Sequence, residues 1–421
     1  MRVVLVTVGL AIAWIAAVLI GSLQGWYRAP LSPRGDLRAF SEAAHSLIRS
    51  ECRGNVVLVL IQDGAVRHEH ACSVGEPVDR DSVFQVASLS KWISAWGVMA
   101  LVDAGRINLD APVSSYLTRW HLPDGDFDAD GVTVRRLLSH TAGLTDGLGY
   151  EGFEPGERIQ TLEESLTLAA DPMPDASGTV IVGHEPGSRW QYSGGGYTLL
   201  QLLMEEVTGE AFESYMQRAV LDPLGMRDST FEWTRAERLK LADSYEVDST
   251  RAPHRHYTAL AAASLYTTAS DLTRFVGAHL PGPNGEPIGR KVLESGTVEQ
   301  MWVPQARRLG RDIWGLGTIL YAQNGEGRFV VGHDGNNAPA INTAVRLDPD
   351  TGNGIIVLAT GAPLLATTIA GEWVFWETGN VDIFEFMVGL DRTFWKAAAG
   401  AVGIVVGAMC LAWWRLKPTA G

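Results

Sequence analysis

Two long uncharged apolar runs stand at opposite ends of this chain and constrain its fold more than any other feature. Residues 3–21 form a run of about 19 residues, which is the length of helix that crosses the hydrocarbon core of a bilayer. Residues 397–414 form a second run that ends in tryptophans, with Arg415 and Lys417 beyond it. Aromatic residues followed by a positive flank are typical of the end of a membrane helix. The pattern predicts two transmembrane helices, with both termini on the same side of the bilayer.

Each run also has an alternative interpretation. The first is compatible with a cleaved signal peptide, but such peptides have a shorter apolar region and a small-residue cleavage site, so an uncleaved anchor is favoured. The second is compatible with a buried C-terminal helix, but it follows a polar stretch and is rich in glycine and alanine. Arg2 and the basic tail predict cytoplasmic termini in the inner or plasma membrane. The central region is then extracytoplasmic, because long domains translocate largely regardless of their charge.

The positions of these runs divide the chain into segments, and the central one is long enough to bury a substantial core. We predict a membrane anchor over residues 1–24, a linker over 25–35, one large domain over 36–375, a juxtamembrane segment over 376–396, a transmembrane helix over 397–414 and a cytoplasmic tail over 415–421.

Strand-like runs lie near both ends of the central domain. Two of them flank Asp63-Gly64, a dipeptide typical of a tight hairpin turn. Three more (FVVGH, AINTAVRL and GIIVLAT) lie between residues 329 and 360, and helical patterns fill the stretch between. This order predicts a mixed α/β domain of the α+β type, with one sheet assembled from both chain ends.

Charge and cysteine content narrow the possible partners. The formal net charge is −14, which argues against a nucleic-acid partner, because phosphate binding needs a basic surface. The three cysteines lack metal-ligand spacing, so neither a metal nor another cofactor is expected. Cys52 and Cys72 flank the predicted hairpin. A disulfide between them is expected in an oxidising compartment, with two unlinked thiols as the alternative.

A single Ser-x-x-Lys sequence, from Ser88 to Lys91, begins a strongly apolar stretch that ends at Gly105. Residues three apart on a helix share a face, so the amine is within reach of the hydroxyl. A serine needs a base before it attacks a carbonyl carbon, and a desolvated lysine can be neutral near pH 7, whereas arginine cannot. Only five of the 34 basic residues are lysine. The spacing therefore predicts a nucleophilic serine and a lysine base. The alternative, a capping serine with a solvated lysine, suits a polar helix better.

Four segments resemble one known family. FQVASLSKWISAWGVMALVDAGRINLDAPVSSYL resembles the active-site helix of class C β-lactamase-like and penicillin-binding-protein-like serine hydrolases, and VTVRRLLSHTAGL resembles a signature near it. WQYSGGGYTLLQLLMEEVTG is similar to the second active-site motif, usually Tyr-x-Asn. VGHDG is similar to the third, Lys-Thr-Gly or its His-x-Gly form. The segments occur in the family's order, and the resemblance covers roughly residues 36–375.

The resemblance implies a β-lactamase/DD-peptidase-like fold, in which helices flank an antiparallel sheet beside a mostly helical subdomain. It implies that Ser88 is the acylated nucleophile, that Lys91 accepts its proton and that Tyr192 is a second acid or base. His140, in the segment LLSHTAGL, is structural by the same resemblance.

The third motif supplies further implied roles. His333 would orient the substrate, Gly335 would let the substrate backbone approach, and the backbone N–H groups of Ser88 and Asn336 would form the oxyanion hole.

Two positions depart from the family pattern. Gly194 takes the substrate-facing position of the asparagine that binds an amide, and His333 stands where β-lactamases keep a lysine. Both changes argue against efficient β-lactam hydrolysis. The expected activity is a peptidase acting on D-amino-acid peptides of the cell wall, or a carboxylesterase. The alternatives are a sensor that is acylated without turnover and a weak β-lactamase.

Overall fold

The computed structural model describes residues 2–337 and 340–416. The helices are α1 (Arg2–Leu23), α2 (Leu37–Glu51), α3 (Ser90–Asp103), α4 (Val134–Leu138), α5 (Leu162–Thr167), α6 (Gly194–Thr208), α7 (Phe212–Met216), α8 (Trp233–Ala236), α9 (Leu260–Ala263), α10 (Ala269–Gly277), α11 (Ser295–Met301), α12 (Leu365–Thr378), α13 (Ile383–Val388) and α14 (Leu390–Leu416). The strands are β1 (Val56–Gln62), β2 (Ala65–Cys72), β3 (Phe84–Gln85), β4 (Ser244–Tyr245), β5 (Arg251–Ala252), β6 (Tyr266–Thr267), β7 (Ala306–Arg308), β8 (Arg311–Trp314), β9 (Ile319–Gln323), β10 (Phe329–Asn337), β11 (Ile341–Asp348) and β12 (Asn353–Ala359).

An eight-stranded antiparallel sheet carries the domain, in the order β2-β1-β12-β11-β10-β9-β8-β7. Strand β1 pairs with β12, with Val56 opposite Ala359, so the two ends of the domain meet side by side as predicted. Asp63 and Gly64 have φ angles of 52° and 72°. These left-handed values are the ones that a two-residue hairpin turn needs at both central positions.

The sheet is covered on both faces, which explains the unbroken apolar sequence of β1. Successive side chains of a strand point to opposite faces. Val57 and Val59 enter the core shared with the helical layer, whereas Val56 and Leu58 enter the core beneath α2 and α12. The α+β fold predicted from the sequence is confirmed.

The helix of the Ser-x-x-Lys sequence is central to the helical layer. A short 3₁₀ turn over Ala87–Leu89 leads into α3, whose residues are buried over nearly all of their length. A helix that is apolar on every side is expected to be buried in this way. The chain leaves it at Gly105, which has a φ of 67°.

The terminal helices α1 and α14 pack against each other, and the Trp14 indole N–H donates to the Ala397 carbonyl at 3.1 Å. Val4–Leu23 and Thr393–Trp414 are long and apolar enough to cross a membrane. These spans correspond to the two apolar runs of the sequence. Residues 417–421 of the predicted tail lie outside the described residues.

The segments predicted as a linker and a juxtamembrane stretch are packed onto the domain. Helix α12 continues past residue 375, the predicted domain boundary, to Thr378. The Trp376 indole N–H donates to the Pro33 carbonyl at 2.8 Å, and Arg34 donates to the Phe375 carbonyl at 3.1 Å. The junction between the terminal helices and the domain therefore has a defined geometry.

Cys52, after α2, and Cys72, at the end of β2, form a disulfide. The bridge predicted from their positions beside the hairpin is confirmed. It joins the edge strand of the sheet to the helix that covers it.

Candidate active site

A cavity of about 250 Å³ lies between the helical layer and the end of β10. It holds Ser88, Lys91, Tyr192, His333 and Asn336, which the sequence placed in one site. The other described lining residues are Ala87, Leu148, Gly149, Tyr150, Met173, Trp190, Tyr257, Ala263, Ile319, Asp334, Asn337, Leu364, Thr367 and Phe384.

Ser88 and Lys91 are in direct contact, one helical turn apart. The Lys91 amine lies 3.1 Å from Ser88 Oγ and donates to the Ala262 carbonyl at 2.8 Å. Burial lowers the pKa of Lys91 to about 7, and only the charge of Asp146 opposes this shift. The neutral form of the amine is therefore accessible near pH 7. A neutral amine beside a half-buried hydroxyl has the protonation state that a general base requires.

Tyr192 also lies beside Ser88. Burial raises the pKa of its phenol, and a hydrogen bond to Ser88 only partly offsets the rise. The Lys91 amine is 5.0 Å from the centre of the tyrosine ring. The phenol is therefore neutral at physiological pH and able to pass a proton between Ser88 and a departing group.

His333 presents an acceptor to the cavity rather than a charge. Its Nδ1 lies 2.6 Å from the Asp334 carbonyl oxygen, and because a carbonyl only accepts, Nδ1 carries the proton. Its Nε2 has no partner among the described residues. Burial lowers the pKa of His333 to about 3, so the ring is neutral near pH 7.

The end of β10 forms an open edge beside these groups. Strand β9 pairs with β10 only as far as Gly332, so residues 333–337 have no β9 partner on that side. Asn336, whose N–H was predicted for the oxyanion hole, is exposed on this stretch. An unpaired strand edge offers backbone donors and acceptors to a bound substrate.

Close packing of the backbone explains why residue 335 is a glycine. A Cβ at this position would lie 1.9 Å from the Val86 carbonyl oxygen and 2.4 Å from Thr343 Oγ1. The glycine lets β10 pack closely against the turn that carries Ser88. It does not belong to the described cavity wall, and its expected role in letting a substrate backbone approach stays a prediction.

Gly194 is also a packing position. A Cβ on it would meet Gly149 Cα at 2.7 Å and the Tyr150 ring at 3.1 Å. The loop through residues 149–150 therefore fills the place where an asparagine side chain would begin. The Tyr150 hydroxyl is itself bonded to Thr198 Oγ1 at 2.6 Å. The substrate-facing role expected for residue 194 stays a prediction.

Two residues that hold the second motif in place are His140 and Asp146. The Ser193 N–H donates to His140 Nδ1 at 3.2 Å, and the histidine ring stacks on Tyr192 with 4.3 Å between centroids. Asp146 accepts hydrogen bonds from Ser193 Oγ and from the Gly195 N–H. Burial raises its pKa to about 6. His140 therefore contacts Tyr192 and Ser193 and is not among the described lining residues of the cavity, and its structural role stays a prediction.

Asp146 was missed in the sequence. Its one signal there is a lone carboxylate in the glycine-rich segment TAGLTDG, directly after the helical signature. Its partners are more than 40 residues away, and no local pattern connects them.

The cavity walls are largely apolar and aromatic, and this was not foreseen either. Trp190, Tyr150, Tyr257 and Phe384 contribute rings, and Met173 adds a flexible apolar side chain. Such walls favour a ligand with a substantial apolar part.

Lys91 is the one cationic side chain among the described residues of the cavity wall. Asp334 also lies there, but its carboxylate is paired with the buried Arg346 and accepts from Tyr321 and Thr367 at 2.9 Å each. The described residues of the cavity wall therefore carry no second free charge to anchor a substrate carboxylate.

Residues 42–372 match the family model for Beta-lactamase. The chain belongs to this family. It is a serine hydrolase, and the family resemblance of the four motifs is confirmed.

Three relatives illustrate the range of the family. The hydrolase is 29% identical to Penicillin-binding protein 4 of Amycolatopsis lactamdurans, covering 72% of this chain and 80% of the relative. It is 35% identical to Esterase EstB of Burkholderia gladioli over 39% of this chain and 42% of that protein. The octameric penicillin-binding protein homologue from Pyrococcus abyssi has the same fold, with a TM-score of 0.66 and 24% identity over 81% of this chain and 76% of that one.

Proposed function

We propose that the protein is a membrane-anchored, extracytoplasmic serine hydrolase that cleaves neutral carboxylic esters through an acyl-enzyme on Ser88. The observation that carries this proposal is the 3.1 Å contact between Ser88 Oγ and a lysine amine whose pKa lies at about 7. It supports a serine that is activated by a neighbouring lysine.

In the acylation step, the neutral Lys91 amine takes the proton of Ser88 as Oγ bonds to the ester carbonyl carbon. The N–H groups of Ser88 and Asn336 stabilise the negative charge that develops on the carbonyl oxygen. The bond to the alcohol oxygen then breaks. The alcohol leaves with the proton, which passes from Lys91 by way of the Tyr192 hydroxyl.

Deacylation reverses the roles. Water attacks the acyl carbon, Tyr192 and Lys91 accept its proton, and the bond to Ser88 Oγ breaks. The serine oxygen regains a proton and the carboxylic acid is released. The balance is one ester and one water consumed, and one acid and one alcohol formed.

The charge of the cavity supports an uncharged substrate. The second charged side chain of the described wall, Asp334, is neutralised by Arg346. A peptide that ends in a free carboxylate would lose its water shell without gaining a cationic partner, which is costly. An ester with an apolar acyl group carries no such penalty.

Peptidase activity is a second candidate, because the open edge of β10 suits an extended peptide backbone. The comparison that separates the candidates is kcat/KM for p-nitrophenyl butyrate against that for an acyl-D-Ala-D-Ala peptide. We expect the ester to be hydrolysed faster by at least tenfold. Faster cleavage of the peptide would favour the peptidase.

The nucleophile is tested by labelling with a fluorophosphonate, followed by intact-protein mass spectrometry. We expect one adduct on the wild type and none on Ser88→Ala. Ser94→Ala is the matched control, because Ser94 lies on the same helix and is bonded to the Ala261 carbonyl at 3.0 Å, outside the described cavity wall. Labelling that persists in Ser88→Ala would disprove the assignment.

The membrane arrangement is supported by the two apolar terminal helices and by the Cys52–Cys72 disulfide. A membrane-impermeant maleimide on intact cells tests it in a Cys410→Ala background. We expect labelling at Asn284→Cys, in an exposed loop, and none at a cysteine appended after Gly421. The reverse pattern would place the domain in the cytoplasm.

A further inference from the structure

One wall of the cavity is built by the helix that leads into the C-terminal apolar span. Phe384, on α13, lines the cavity, and the span begins nine residues later at Thr393. At a helical rise of 1.5 Å per residue, that separation is about 14 Å along the chain. The cavity wall is therefore close to where the proposed span would enter the bilayer.

The N-terminal span is fixed to the same helix. Arg28, five residues beyond the end of α1 at Leu23, donates to both Glu385 oxygens at 2.7 and 3.0 Å. It also pairs with Glu372 of α12 at 2.8 Å. Direct contacts thus connect the end of the N-terminal span to α13, which lines the cavity, and to α12.

The part of the cavity wall at Trp190 is also connected to the end of α1. Trp190 lines the cavity, and the Arg308 guanidinium lies over its ring at 5.4 Å. Arg308 ends β7, and Arg311, which begins β8, donates to the Leu23 carbonyl at 3.1 Å. Leu309, between these strands, is exposed. The hairpin that supports this wall therefore touches the last turn of α1.

Exposed aromatic residues mark the level of this junction. Trp26, Tyr27, Phe394 and Trp395 are between 62% and 70% exposed. Aromatic side chains concentrate at the headgroup level of membrane proteins, where the ring is partly in lipid and partly in water. These four aromatic residues lie beside the ends of both spans, as expected if the membrane surface is located there.

We propose that the cavity receives the acyl chain of an amphiphile resident in the leaflet that faces the domain. The chain packs against Phe384 and Trp190 of the cavity wall, and the ester carbonyl lies at Ser88. Ser88 takes the acyl group, the remaining part of the amphiphile leaves as the alcohol, and water releases the fatty acid. This inference rests on the proposed ester hydrolysis and adds the substrate class and its source.

The test uses the full-length protein in phosphatidylcholine vesicles, with 4-methylumbelliferyl oleate incorporated in the bilayer and 4-methylumbelliferyl acetate in solution. We expect kcat/KM to rise with acyl length through acetate, butyrate and octanoate, and we expect the vesicle-borne oleate to be hydrolysed. Phe384→Ala should lower the ratio of the oleate rate to the acetate rate by roughly tenfold. The long acyl chain loses the apolar contact with one aromatic side chain, whereas acetate does not reach it. Phe386→Ala, on the same helix but outside the described wall, should leave this ratio unchanged.

The outcomes separate the two proposals. Hydrolysis of acetate in preference to the longer esters, with the vesicle-borne oleate untouched, would overturn the membrane-resident substrate and leave ester hydrolysis intact. Hydrolysis of octanoate in solution without hydrolysis in vesicles would point to a monomeric amphiphile and also overturn it. If Ser88→Ala retains the acetate activity, the proposed function itself is wrong. Equal losses in Phe384→Ala and Phe386→Ala would show that α13 acts only through stability.

Discussion

Arg346 and Asp382 form an ion pair with 3.0 Å between Nε and Oδ2, and both side chains are fully buried. The same guanidinium pairs with Asp334 on β10, and Asp382 caps the start of α13. The strand that carries His333 is therefore linked by buried charges to the helix that precedes the C-terminal span.

Arg346→Met should destabilise the protein by about 3–5 kcal/mol, because it leaves two buried carboxylates without their counter-charge. The measurement is thermal or denaturant unfolding of the detergent-solubilised protein. Arg38→Met is the control: its pair with Glu42 is exposed, and such pairs contribute about 0–1 kcal/mol. Combining Arg346→Met with Asp334→Asn and Asp382→Asn should recover part of the loss. No recovery would mean that packing of the arginine, rather than charge, is what the single variant loses.

Lys91→Arg should be nearly as inactive as Lys91→Ala, with kcat/KM for a p-nitrophenyl ester lowered by about 100-fold or more. Arginine keeps the charge but does not accept the serine proton. Near-normal turnover by Lys91→Arg would show that Lys91 acts only as a fixed charge.

The wild-type ester hydrolysis should rise with pH through about 7, the lowered pKa of Lys91, since only the neutral amine accepts a proton. The profile of kcat/KM between pH 5 and 9 checks this. If kcat/KM does not change over that pH range, Lys91 is not the general base.

The same pKa shift predicts how stability depends on pH. Lys91 has a pKa of about 7 in the folded protein and about 10.4 when unfolded. Between these values the unfolded chain binds more protons, so the free energy of unfolding rises with pH. Lys91→Met removes the cost of burying the ammonium, which is on the order of a few kcal/mol. The variant should be more stable than the wild type below pH 7, and its advantage should shrink towards pH 10. An advantage that grows with pH would contradict the shift.

Penicillins and cephalosporins should be poor substrates. The His333 ring is neutral because its pKa is about 3, so it gives a β-lactam carboxylate no cationic partner. We expect kcat/KM for nitrocefin to be at least about 30-fold below that for a p-nitrophenyl ester, the loss that follows from one charged and one neutral hydrogen bond. His333→Lys should narrow the gap. Gly194→Asn is unsuitable as a test, because its Cβ would clash with Gly149. Equal rates on both substrates would show that other groups bind the β-lactam.

Removing the disulfide should lower stability without removing the site. Cys52→Ala with Cys72→Ala should cost about 2–5 kcal/mol, measured as a lower midpoint of unfolding. Iodoacetamide should modify one thiol of the unfolded wild-type chain before reduction and three after it. Three before reduction would mean that the bridge does not form in the cell.

The local parts of the site were predictable from sequence, because they depend on neighbours along the chain. Ser88 and Lys91 are three residues apart on one helix, and Asp63-Gly64 specifies its own turn. The pairing of β1 with β12 followed from the apolar strands at both ends of the domain.

The parts that were missed depend on contacts between distant residues. The nearest neighbours of Gly194 and Gly335, which leave no space for a Cβ, come from distant parts of the chain. Arg346 and Asp382 are 36 residues apart, and Phe384 lies in a segment that the sequence assigned to a membrane junction. The residue types of Arg346, Asp382 and Phe384 do not by themselves indicate that these side chains lie near the same site.

The pairing of β1 with β12 also governs how this protein is made. The two strands lie roughly 300 residues apart in the chain, and contacts of such long range are slow to form. At 5–20 residues per second, the ribosome needs about 15–60 seconds to deliver the partner of β1. During that interval the nascent chain holds an apolar strand with an open edge, a species prone to aggregation. We therefore expect a holding chaperone to raise the yield of folded protein, and a chain that ends before residue 353 lacks the strand that pairs with β1.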